Sequence, residues 1–78
     1  SSILFPRSKT EREARNDPRL SIMERYGSRE AYLGRISEAA VKLAGEGYLL
    51  DADVAGLVRQ ADHRWKYWME SETSPSDR

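Results

Sequence analysis

Cysteine is absent from this 78-residue chain, which removes disulfides, thiolate metal sites and cysteine nucleophiles together. The same absence leaves the redox compartment open, since a chain without thiols suits any of them. Large apolar side chains are scarce: Leu, Ile, Val and Phe number 14 of 78, or 18%. In a chain of high net charge that scarcity would mean disorder. Here 13 basic and 13 acidic residues cancel, and four Tyr and two Trp add buryable area. The reading is a folded chain with a small core. A chain this short supports one domain at most and buries roughly 60% of the surface it exposes when unfolded. Domains in that position lean on disulfides, a metal, an oligomer or a larger host. No apolar run is long enough to span a bilayer, and no segment carries a signal-peptide pattern. The opening Ser1-Ser2 reads as a processed or engineered end, or as an internal piece of a longer polypeptide.

Net neutrality hides a mild polarity. Residues 1–35 hold eight basic and five acidic side chains, and residues 36–78 hold five and eight. The halves are +3 and −3, which favours the two ends folding on each other more than it favours nucleic acid.

Along the chain, Pro6 forces Phe5 away from helical angles, so residues 1–7 read as an extended arm with an apolar cluster at Ile3, Leu4 and Phe5. Ser8 and Glu11 have the spacing of a capping box, opening a short polar helix to about Asn16, with Glu11 and Arg15 one turn apart. Asp17-Pro18 ends it. Ser21 and Glu24 form a second box over a single turn that Gly27 breaks. Ser28 is the expected N-cap of a helix to about Ala44, with Leu33, Ile36, Ala40, Leu43 and Ala44 inward and Tyr32 at the edge of that stripe. Gly45-Glu46-Gly47 supplies a left-handed C-cap. Asp51 is the expected N-cap of the last helix, with Asp53 close to its positive end. There Val54, Leu57, Val58, Ala61, Trp65 and Trp68 fall at offsets 0, 3, 4, 7, 11 and 14, the clearest amphipathic pattern present.

Chemistry is sparse. The one histidine, His63, sits on the polar side of the last helix beside Asp62, with no Gly-x-Ser-x-Gly elbow to serve. The run from Asp51 to Asp62 superficially traces a calcium loop. Its fifth position is Ala55, its ninth is the cation Arg59, and its last is one methylene short of the usual Glu. Carboxylate pairs such as Glu11/Glu13 and Asp51/Asp53 lack apolar surroundings to shift a pKa. Glu38/Lys42 and Asp62/Lys66 read as pairs one turn apart. Arg7, Lys9, Arg12, Arg15 and Arg19 form a basic run, but Glu11, Glu13 and Asp17 interrupt it. Trp65 and Trp68 continue the core stripe, while Tyr67 and Met69 project away from it. An aromatic, Met-bearing helix end of that kind resembles a docking surface.

Several blocks carry a family resemblance: Pro6-Arg7-Ser8-Lys9-Thr10-Glu11-Arg12, then Asp17-Pro18-Arg19-Leu20-Ser21-Ile22-Met23-Glu24-Arg25-Tyr26-Gly27-Ser28, then Tyr32-Leu33, then Tyr48-Leu49-Leu50 and Asp53. Over roughly residues 4 to 62 they resemble the C-terminal tail of large bacterial alpha/beta-hydrolase-domain proteins, esterase-like and often exported. The Glu-Arg-Tyr-Gly block is the specific part; the helices around it are generic. The resemblance implies a serine hydrolase parent whose nucleophile, histidine and acid all lie upstream of this tail. None of those roles maps onto a residue here. It also implies that Glu24, Arg25 and Tyr26 anchor the tail to its host, with Arg25 able to form a bidentate ion pair. Read locally, Glu24 is simply the capping partner of Ser21, and Arg25 is solvent-exposed.

The expected architecture is all-α: an extended arm over 1–7, a small helical domain over 8–70 and a disordered polar tail over 71–78. The helical domain comprises a short polar helix, a capped helical turn and a hairpin of two main amphipathic helices. The expected function is a non-catalytic segment packing against the catalytic domain of an alpha/beta-hydrolase-like protein. The alternatives are a free-standing interaction module that self-associates through the Trp65/Trp68 helix and, third, a nucleic-acid-binding helical domain. No catalytic, cofactor or metal residue is assigned. The residues read as partner-binding are Ile3, Leu4, Phe5, Arg25, Tyr26, Trp65, Tyr67, Trp68 and Met69. The partner is then the rest of a larger polypeptide or a second copy. A periplasmic or secreted location follows only from the resemblance.

Overall fold

The computed structural model describes residues 5–70. Four α-helices occur among them, α1 (Lys9–Ala14), α2 (Ile22–Tyr26), α3 (Arg29–Gly45) and α4 (Val54–Glu70), with a 3-10 turn over Asp51–Asp53 leading into α4. No described residue is in a strand. The two long helices have 17 residues each, about 25 Å at 1.5 Å per residue. They pack as a hairpin closed by residues 46–50. The expected all-α hairpin is the observed fold. The expected tail over 71–78 lies outside the described residues.

Turn chemistry explains where each element starts and stops. Ser21 Oγ accepts from the Glu24 N–H at 3.1 Å, and the Glu24 carboxylate accepts from the Ser21 N–H at 2.9 Å, a complete capping box. The first box is only half made. Ser8 Oγ accepts from the Glu11 N–H at 3.2 Å, but the Glu11 carboxylate turns to the Arg7 backbone N–H and side chain, at 3.3 and 2.9 Å. Arg7 draws it there because a charge-assisted bond outcompetes a neutral amide. Asn16, with φ 57°, ends α1 in a Schellman geometry: the Asp17 N–H reaches the Arg12 carbonyl, and the Asn16 N–H reaches that of Glu13. Gly47, with φ 86°, ends α3 in the same way. Ser28 caps α3 as expected. Asp51 does not cap α4: Leu50 holds the N-cap position of the 3-10 turn, with no side-chain hydrogen bond, and Asp51 lies inside the turn.

A five-residue helix cannot persist alone, and α2 persists because its free donors are taken up. The Ile22 N–H donates to the Pro6 carbonyl at 2.8 Å, and the Met23 N–H donates to that of Arg7 at 3.0 Å. With Ser21 holding the third, all the N-terminal amides that helix geometry leaves unpaired find acceptors. The Arg7 guanidinium then donates to the Met69 carbonyl at 3.1 Å, tying the arm to the last turn of α4. Pro6, Ser21 and Ile22 are fully buried beneath this crossing.

The core is largely aromatic. Ile22, Tyr32, Ala61 and Trp65 are buried, with Phe5, Tyr26, Leu33, Ile36, Trp68 and Met69 packed around them. Tyr26 meets Tyr32 edge-on at 4.8 Å between centroids and stacks on Trp68 at 6.3 Å. Tyr32 lies 5.5 Å from Trp65 and 5.4 Å from Trp68. Tyr32 is therefore central, at 4% exposure, rather than at the edge of the α3 stripe. Met69 likewise packs on the core instead of projecting from it. Leu43, expected inward, is 43% exposed.

Two substitutions test this packing in denaturant. Trp65→Ala should cost about 3–5 kcal/mol, enough to abolish the cooperative unfolding transition of so small a core. His63→Ala, on the exposed side of the same helix, should shift stability by less than about 0.5 kcal/mol.

Candidate docking surface

The side chains read as partner-binding divide sharply. Ile3 and Leu4 lie outside the described residues. Phe5 is half-buried, its ring held between the guanidinium of Arg19 at 4.7 Å and that of Arg25 at 4.5 Å. Arg25 thus stacks on Phe5 and donates Nε to the Leu20 carbonyl at 3.1 Å. Within the described residues a bidentate ion pair is made by a different arginine. Arg12 grips Glu24 through Nε and Nη2 at 2.8 and 3.0 Å, joining α1 to α2. Trp65 is buried, and Tyr26, Trp68 and Met69 are half-buried in the ring cluster. Of these aromatics only Tyr67 stands out into solvent, at 60%.

Carboxylates hold most of the basic run. Arg7 bonds Glu11 at 2.9 Å and Arg12 bonds Glu24, while Arg15 reaches both Glu11 at 3.3 Å and Asp17 at 3.1 Å. Arg19 chelates Asp17 with Nε and Nη2 at 3.0 and 2.7 Å. These contacts shift the acids. The Asp17 carboxyl is held well below the usual range by the Arg19 side chain and backbone N–H. Glu24 is pulled down to about 2 by the Arg12 guanidinium, with the Ser21 N–H next in weight. Burial opposes the shift at Glu11, but the hydrogen bonds from Arg7 outweigh it and lower the pKa. Asp62 is lowered chiefly by Arg29, whose Nε lies 2.7 Å away and links α3 to α4. Lys66, expected as its partner, is also in contact at 3.8 Å. Lys42 pairs with Glu46 at 3.2 Å rather than with Glu38.

Apolar surface is left over elsewhere. Tyr48 and Leu50, in the hairpin loop, are 79% and 71% exposed, and Leu43 and Val41 are also open. A groove of about 230 Å³ runs between the long helices, lined by Ile36, Ala39, Ala40 and Leu43 of α3 and by Leu57, Gln60 and Arg64 of α4. Leu57 and Gln60 also line an adjoining depression of about 330 Å³ that extends to Leu49, Ala52, Asp53, Gly56 and Arg59. The two share Leu57 and Gln60 and together make a strip along α4. Arg64 borders it and donates Nε to the buried Tyr32 hydroxyl at 2.9 Å. The strip has a legible signal in the sequence: Asp53, Leu57, Gln60 and Arg64, with Tyr67 following them beyond the groove, repeat at alternating spacings of four and three residues. Beside the stronger Trp-bearing stripe it passes as a polar flank.

Among the described residues no cluster of three or more His, Asp or Glu side chains could hold a metal ion. No described helix is long and apolar enough to cross a membrane. His63 is exposed. Fold and surface together define a class, a helical hairpin strapped by its own N-terminal segment. Comparisons with protein-family models, curated proteins and solved structures returned no significant match.

The lowered carboxylates set an acid limit. A folded-state pKa depressed to about 2 at Glu24 means a contribution complete above the ordinary value of 4.5 and lost as pH falls toward 2. Thermal melts across this window should show a falling midpoint. Glu24→Gln, which keeps a capping partner for Ser21, should lower the midpoint near neutrality and flatten its fall with acid.

Proposed function

We propose that this chain is a non-catalytic helical segment of an alpha/beta-hydrolase-like protein, packing against the catalytic domain. The observation that carries the reading is how the residues of the resemblance are employed. Pro6, Arg7, Ser21, Ile22, Glu24, Tyr26 and Tyr32 all serve the chain's own caps, ion pairs and core. A motif used mostly for folding is what a structural part has, its chemistry supplied elsewhere in the parent. The exposed loop residues Tyr48 and Leu50 are the apolar surface such a segment would offer its host. A second reading, a self-associating helical module, draws on the strip along α4, which a second copy could cover without a host.

The test is genetic and kinetic. The coding region upstream of Ser1 should continue in frame into a domain with a Gly-x-Ser-x-Gly elbow. Deleting residues 8–70 from that parent should lower its Tm by several degrees and leave kcat per folded molecule unchanged. An upstream frame without a hydrolase domain contradicts the reading, as does a deletion that abolishes kcat at unchanged Tm.

A further inference from the structure

We propose that the strip along α4 is the docking site for a second copy of this chain, paired antiparallel about a two-fold axis so that two hairpins make a four-helix bundle. The argument is one of self-complementarity. A two-fold contact sets residue i against j and j against i, so the strip must match its own reverse. The positions do so about a point midway between Leu57 and Gln60. Reversal brings Leu57 against Gln60 of the other copy, Asp53 against Arg64, and Leu50 against Tyr67.

The two outer pairings answer needs left open within one chain. Among the described residues Asp53 makes no ion pair, and Arg64 contacts only the neutral Tyr32 hydroxyl. Opposed across the axis, they form two equivalent ion pairs. Leu50 and Tyr67 are both largely exposed in the single chain and would cover each other. On either side of the central Leu57 and Gln60 the strip is lined by small residues, Gly56 of α4 and Ala39 of α3. The four-and-three spacing of the strip is the periodicity by which helices of a bundle interlock. The acid at one end and the base at the other select the antiparallel arrangement, since parallel pairing would oppose like charges.

This dimer rests on the second reading above, the self-associating module, and not on the hydrolase one; it uses a different helix face from the one bearing Trp65, which is buried inside the monomer. Sedimentation equilibrium of the whole chain over a hundredfold concentration range, at low salt, is the test, with far-UV circular dichroism recorded alongside. The wild type should show a reversible monomer–dimer equilibrium that added salt weakens. Asp53→Arg alone and Arg64→Asp alone each oppose like charges twice and should raise Kd by about tenfold or more. An equimolar mixture of the two variants restores both ion pairs and should dimerise again. That recovery distinguishes lost pairing from lost folding, because a misfolded variant would not regain a partner on mixing. A helical wild type that stays monomeric throughout overturns the proposal and leaves the strip to a host domain. A dimer indifferent to both variants overturns it as well, by placing the contact on another face.

Discussion

The structure depends on two backbone hydrogen bonds that join the N-terminal arm to the first turn of α2, from the Ile22 and Met23 amides to the Pro6 and Arg7 carbonyls. Neither partner could be ordered alone: an extended arm has no structure of its own, and five residues make too short a helix to nucleate. Joined, they bury Ile22 and set Tyr26 at the angle from which it meets Tyr32 and Trp68. Arg7 then closes onto the Met69 carbonyl at the end of α4. The strap thus holds the open end of the hairpin, where the two long helices would otherwise fray.

Electrostatics follow from the same crossing. The arm, α1 and α2 bring many arginines together, and the acids threaded among them are the reason that crowding is tolerated. Glu11 and Asp17 each serve two arginines, and Glu24 serves Arg12 and the Ser21 cap at once. Partly exposed ion pairs contribute little individually, but these fix the order in which short elements lie over one another. The acidic second half sends Asp62 to Arg29, so charge also ties α3 to α4.

Much of this was legible from the residues. Caps at Ser8, Ser21 and Ser28, the left-handed stop after α3 and the amphipathic period of α4 are local properties, and local sequence specifies them. Two local expectations are not met, since Asp51 lies inside the 3-10 turn instead of capping α4 and Leu43 is exposed; the rest of what the sequence hides depends on the arm returning across the hairpin. Tyr32 looked peripheral because its burial comes from Tyr26 and the two Trp rings, not from α3's own stripe. Glu11 left its expected cap for Arg7, and Met69 turned inward beneath a strap invisible to helical periodicity. The tryptophan helix reads from its sequence both as core and as a docking surface for a related reason. Periodicity shows that a face is apolar but not which element covers it, and here the chain covers most of it itself. The strip at Leu57 and Gln60 is hidden in the sequence because its polar ends resemble an ordinary solvated face.

The most direct test is amide hydrogen exchange read at Ile22 and Met23. If the strap organises the fold, these two amides exchange as slowly as those in the centres of α3 and α4, despite lying at the start of a five-residue helix. Exchange at unprotected rates there, with α3 and α4 still protected, would contradict the account and leave the hairpin standing without its strap.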